Sequence, residues 1–215
     1  MHYTNPVLVI TFLLTSCIAA AQKPFTEGVM VYKVTLQTAD NVTYTGSYTF
    51  TCKGSQLRKE LKLSNGYQDV VVLDFSGNKS YSLQSTQGKK YVIELNVDQL
   101  KKKQEPFNGF TVKSEEHTNR LIAGMAVSVG SIVYRDGSGA EVYYSKEYQP
   151  SNALVYERFP GAKFLPLSFS YKDEHGMTMH FEAEKIAPGP VETGLFRIPA
   201  DYKLITYSEY EQLSR

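Results

Sequence analysis

Between Phe164 and Ile186 the chain reads FLPLSFSYKDEHGMTMHFEAEKI, two alternating runs separated by a polar tetrad that ends in glycine. Leu165, Leu167, Phe169 and Tyr171 alternate with Pro166, Ser168, Ser170 and Lys172. Beyond Asp173-Glu174-His175-Gly176, residues Met177, Met179, Phe181 and Ala183 alternate with Thr178, His180, Glu182 and Glu184. A strand turns successive side chains to opposite faces, so this period gives each arm one apolar and one wet face. The tetrad supplies the reversal. The stretch predicts a long antiparallel hairpin whose apolar face must be covered by something else.

Most other segments repeat the design. Strands are expected at Gly28–Thr38, Tyr44–Lys53, Gln56–Ser64, Tyr67–Phe75, Lys79–Ser85 and Lys90–Asn96, then at Phe110–Leu121, Met125–Arg135, Ala140–Ser145 and Phe196–Ile198. Asn65-Gly66 is the strongest short turn signal, because both residues tolerate positive φ. Helices are expected at Asp98–Gln104, capped by Asp98, and at Ser151–Phe159, capped by Ser151 and stopped by Pro160-Gly161. Ser208 with Glu211 suggests a capping box for a final helical turn. The abundance of Tyr (16) and Phe (11) over Trp (none) suits strands with half-exposed faces. A meander of long antiparallel strands tends to curl, and small helices cannot cover two sheets. The fold class is mainly β: one strongly curved antiparallel sheet or incomplete β-barrel, with two or three short helices plugging its concave face.

Parity then assigns the faces. Tyr32, Val34, Tyr48, Phe50, Leu61, Leu63, Leu167, Phe169, Met179 and Phe181 are expected to point together into the concave side and to line any cavity there. Lys33, Thr49, Glu60, Lys62, Ser168, Ser170, His180 and Glu182 are expected to face water. A slip of one residue would invert a whole strand.

Residues 1–21 stand apart from this pattern. Pro6–Ile18 is apolar yet too short to span a bilayer, and Ala19-Ala20-Ala21 offers a small-residue cleavage site before Gln22. An export signal over 1–21 with a β-rich domain over 22–215 is one reading. Leu14-Thr15-Ser16-Cys17 also resembles a bacterial lipoprotein box, in which the leader ends at Ser16 and Cys17 is lipidated. Either route leaves Cys52 as the one cysteine thiol of the β-rich part, where its alternation with Phe50 and Tyr48 reads as a buried structural group. The location expected is periplasmic or outer-membrane associated.

Little in the chain points to chemistry. The formal charge is +1, from 23 basic and 22 acidic side chains, so no global field selects nucleic acid or an anionic membrane. No nucleophile elbow, phosphate-binding glycine loop, HExxH or Cys-x-x-Cys pair is present. Asp173, Glu174, His175 and His180 could hold a metal only if a turn and an outward-facing strand position converged. No metal, cofactor or catalytic residue is expected.

The segments FTEGVMVYKVTL, KGSQLRKEL, LIAGMAVSVG, YYSKEYQP, FLPLSFSY and FRIPADYK resemble a DUF4412-like family of exported bacterial proteins of unknown function, related to the lipoprotein-localisation (LolA/LolB-like) carrier superfamily. The resemblance implies an open β-barrel with helices over its mouth and a hydrophobic cavity for acyl chains. The function expected is a non-enzymatic, monomeric carrier of a hydrophobic or acyl-chain ligand, with a membrane-associated partner as a further possibility. The alternative is a structural or interaction module of the envelope with a solid core and no ligand.

Overall fold

The computed structural model describes residues 22–86, 88–152, 155–173 and 176–213. The leader, with Cys17, and Glu174 and His175 of the hairpin turn lie outside the described residues. Fourteen strands run in chain order as β1 (Lys23–Phe25), β2 (Glu27–Gln37), β3 (Thr43–Lys53), β4 (Gln56–Leu63), β5 (Gln68–Asp74), β6 (Lys79–Thr86), β7 (Lys89–Leu95), β8 (Thr111–Ile122), β9 (Met125–Val133), β10 (Gly139–Ser145), β11 (Tyr148–Pro150), β12 (Leu165–Lys172), β13 (Thr178–Pro188) and β14 (Lys203–Ile205). Helix α1 (Val97–Gln104) follows β7, and α2 (Tyr207–Leu213) follows β14. Twelve strands form one curved sheet in the order β14-β7-β6-β5-β4-β3-β2-β13-β12-β10-β9-β8, while β1 and β11 pair apart from it. Among the described residues β8 and β14 remain open edges, so the barrel is not closed.

The opening hairpin forms, and its turn takes in Met177 beyond the polar tetrad. Phe169 pairs with Phe181 and Tyr171 with Met179, and Gly176 takes a φ of 80° in the turn. β13 then pairs with β2, so the chain's first long strand and its last long strand meet at the sheet's centre: Phe181 opposes Val34 and Ala183 opposes Tyr32. Directly opposed residues share a face. Tyr32 opposes Tyr48, Tyr48 opposes Leu61, and Phe50 opposes Lys59. The apolar parity is thereby continuous from β12 to β4.

Three covers lie over this concave face. Helix α1 sets Val97 and Leu100 against the core, and α2 sets Tyr210 against Ile93 and Ile205 at the β7 side. Between them and β12 lies the segment 155–159, whose Val155, Tyr156 and Phe159 are buried in the main core. The convex face carries a smaller core of its own. Phe196 packs there on Val70, Val72, Leu83 and Val92.

Several local expectations are corrected. The described part of Ser151–Phe159 is irregular rather than helical. A helix that short gains little by itself, and burying three large side chains in the aromatic cluster dominates. Phe196 ends a 3₁₀ turn (Thr193–Phe196), and the extended strand falls instead at β14, because Phe196 is drawn onto the convex core. Both helix caps sit two residues early: Asn96 Oδ1 accepts from the Asp98 amide, and Thr206 with Glu209 forms the reciprocal box before α2. The parallel β1–β11 pair carries no alternation long enough to announce it.

The wet parity also needs amendment. Lys33, Lys62, Ser170 and His180 are exposed, whereas Thr49, Glu60 and Glu182 are half-buried and Ser168 is buried. Ser168 lies between Tyr143 and Glu182. Arg120 covers that patch, stacked 4.9 Å from the Tyr143 ring and paired with Glu182 at 2.6 Å.

Candidate functional site: an aromatic cleft on the concave face

The concave face is dominated by rings. Phe169 stacks on Phe181 at 4.8 Å with 13° between planes, and Tyr171 stacks on Phe181 at 5.6 Å. Tyr48 lies 4.5 Å from Phe50 and 5.8 Å from Phe181. From the cover, Tyr156 meets Phe50 at 5.2 Å, and Phe159 meets Phe169 edge-on at 5.1 Å. Offset and edge-to-face pairs of this kind add to ordinary burial.

A hydroxyl relay ties the cover to the sheet. Tyr32 donates to the Pro166 carbonyl at 2.8 Å, and the Tyr156 hydroxyl lies 2.5 Å from that of Tyr32. With the Tyr32 proton committed to Pro166, Tyr156 is the donor of the pair, and Met30 Sδ is a weak second acceptor at 3.4 Å. Burial holds both phenols far above their ordinary pKa, so the pair stays neutral. Tyr32→Phe removes the relay's centre, leaving Tyr156 only the thioether, and should cost roughly 1–3 kcal/mol. Tyr156→Phe keeps the Pro166 bond and should cost about 1 kcal/mol. Urea midpoints of the two variants check this, and equal losses would contradict the relay.

Two small cavities open between sheet and cover. The first, of ≈ 50 Å³, is lined by Tyr48, Phe50, Phe169, Tyr171 and Phe181 from the sheet and by residues 155–159. The second, of ≈ 80 Å³, lies under α1 against Val71, Leu73 and Asp69. Tyr48, Lys59 and Glu157 line both. Of the ten residues expected to line a cavity, the structure thus brings Tyr48, Phe50, Phe169 and Phe181 to one. Tyr32, Val34, Leu63 and Leu167 are buried in the core, and Leu61 and Met179 are half-buried against it, without lining either space.

Lys59 is the residue that pattern reading missed. It occupies an inward position of β4 between Leu57 and Leu61, with only 8% of its side chain exposed. Its ammonium lies 5.9 Å from the Phe50 ring and 3.8 Å from Glu157, whose own side chain is 66% exposed. Desolvation lowers the lysine pKa, and Glu157 partly offsets that. Asp69, on the same face, has its carboxyl pushed up chiefly by burial, although Gln84 donates to it at 2.8 Å. The signal in the sequence was a single charge within the apolar parity of an otherwise regular strand.

Other polar groups have less to offer. Cys52 is buried, and desolvation pushes its thiol up to about 12, which makes it an inert packing group. Ser170 and His180 Nδ1 meet at 2.8 Å as an exposed cross-strand pair on the convex face. Among the described residues no group of three His, Cys, Asp or Glu side chains could hold a metal ion, and no helix is long and apolar enough to cross a membrane.

No family model matches the chain, and no curated protein matches it. Among solved structures, the crystal structure of a LolA superfamily protein from Nitrosomonas europaea is similar at 10% identity with a TM-score of 0.41, over 82% of this chain and 92% of that one.

Proposed function

We propose that this chain is an exported, non-enzymatic binding or carrier protein that takes a hydrophobic, lipid-like ligand on its concave face. The observation that carries the reading is the nature of the cover. Residues 155–159 form no regular structure, and they insert Tyr156 and Phe159 among Phe50 and Phe169 as a ligand's apolar groups would. Lacking strand hydrogen bonds, this segment is held to the sheet by side-chain contacts and the Tyr156 hydroxyl, and its departure would expose Tyr48, Phe50, Phe169 and Phe181 together. The inward parity of Tyr32, Val34, Leu61, Leu63, Leu167 and Met179 continues the apolar surface beyond those four. The likeness to the exported family of unknown function, a periplasmic or outer-membrane location and a monomeric state are parts of the same proposal.

The cavity volumes favour a second reading. Spaces of ≈ 50 and ≈ 80 Å³ fall far below the roughly 300–1,000 Å³ of an ordinary ligand pocket. An envelope module with a solid aromatic core needs no opening at all. Native mass spectrometry of protein purified from its host, with titration by a fluorescent fatty acid, separates the two. A co-purifying acyl species or saturable uptake supports the carrier. A clean ligand-free mass without uptake leaves the module.

Intact mass also tests the leader. Gln22, or its cyclised product, at the N-terminus is expected for ordinary cleavage, and a diacyl or triacyl increment on Cys17 for the anchored form. Cytosolic protein that retains Met1 would overturn both.

A further inference from the structure

Lys59 constrains what the cleft would accept. Its side chain is almost wholly desolvated, flanked across the sheet by Phe50 and Val71, and it borders both cavities. The carboxylate nearest to it, Glu157, belongs to the cover rather than to the sheet. When the cover lifts, Glu157 leaves with it, and the ammonium remains at the floor of an aromatic surface without that partner. Asp69 lines the second cavity, and its carboxyl already accepts from Gln84 at 2.8 Å. The cover carries a cation of its own beside Glu157: Arg158 lies over Phe107 at 4.2 Å and Tyr171 at 4.5 Å, with no carboxylate within 4.0 Å among the described residues, and it moves with the cover. Lys103 lines the second cavity as well. Three cations thus border the two spaces against the carboxyls of Asp69 and Glu157 alone, although the chain as a whole is nearly neutral.

We infer that the occupant is an amphiphile with an anionic head, an apolar chain on Tyr48, Phe50, Phe169 and Phe181 and its head paired with the Lys59 ammonium in place of Glu157. The inference rests on the carrier reading above. A buried cation gains from a desolvated anion what an alcohol, an ester or a bare hydrocarbon cannot supply. Carboxylate and phosphate heads share that chemistry.

The test is a calorimetric or probe-displacement titration of full-length mature protein with palmitate, hexadecyl phosphate and 1-hexadecanol. Wild type, Lys59→Met and Lys59→Arg are compared. Wild type is expected to prefer at least one anion over the alcohol by about tenfold. Lys59→Met is expected to lose that preference while keeping its affinity for the alcohol, and Lys59→Arg to retain the preference. The stronger of the two anions identifies the head. Equal binding of alcohol and anions by wild type, or an undiminished preference in Lys59→Met, overturns the inference and leaves the carrier reading standing. If wild type binds none of the three, the carrier reading fails and the inference falls with it. Bound alcohol in Lys59→Met is itself the control that the variant has folded.

Discussion

Phe181→Ala is expected to lower the stability of the ligand-free protein by roughly 3–5 kcal/mol, the usual cost of truncating a buried phenylalanine. Phe181 is 2% exposed, lies on the strand at the sheet's centre, and is stacked on Phe169 and Tyr171. The cavity it borders holds only ≈ 50 Å³, so most of its ring already has packing partners to lose. The sheet beneath cannot collapse inward, because Phe181 is held in register on both sides by β12 and β2. Chemical denaturation measures the loss directly. A cost below about 1.5 kcal/mol, the range of a mild volume change, would mean that the interior is looser in solution than its ring contacts require. The same variant bears on function. If the cleft takes a ligand, a fatty-acid probe should recover part of the lost stability, since anything that binds only the folded state adds to it. A solid-core module gives the full loss and no recovery.

Lys59→Met should act in the opposite direction, raising stability by about 1–4 kcal/mol at neutral pH. The methionine fills much the same space without a charge to desolvate, and Glu157, mostly exposed, is not stranded by the change. The sign follows from the lowered lysine pKa. At neutral pH the folded state carries a cation that burial disfavours, while the unfolded chain, with its value near 10.5, carries the same cation at no penalty. The wild-type penalty is therefore complete below the folded-state pKa. It is relieved as pH rises from there towards 10.5, a window in which the unfolded state binds more protons. The gap between variant and wild type should narrow across that alkaline window, as urea midpoints at several pH values would reveal. A destabilised Lys59→Met would instead assign net stabilisation to the Lys59–Glu157 pair. Stability gained by removing a charge from a core is a common sign that the charge is kept for function.

The sequence by itself determined the long strands, the apolar side of each, and the tight turns between them. Each of these is set by residues close in the chain. Alternation at Leu167 and Phe169 or at Tyr48 and Phe50 is visible within five residues, and Asn65-Gly66 announces a reversal on its own. Because antiparallel neighbours follow one another in most of this sheet, local strands and short turns also carried most of the pairing. The tertiary structure decided what is non-local. It joined β2 to β13 across most of the chain's length, drew Val155, Tyr156 and Phe159 out of a helix and into the aromatic cluster, and laid Phe196 on the convex face. It also shifted both helix caps, where several polar residues compete and final docking selects one. The site follows the same division. That Phe50, Phe169 and Phe181 face inward was legible, but whether they line a space or fill it depends on how far a non-local cover descends. Lys59 shows the limit most sharply: its parity and its hairpin neighbour Phe50 are readable locally, yet its burial depends on residues 155–159, with Glu157, arriving from a distant part of the chain. Periodicity records which way a side chain points. Only packing records what meets it there.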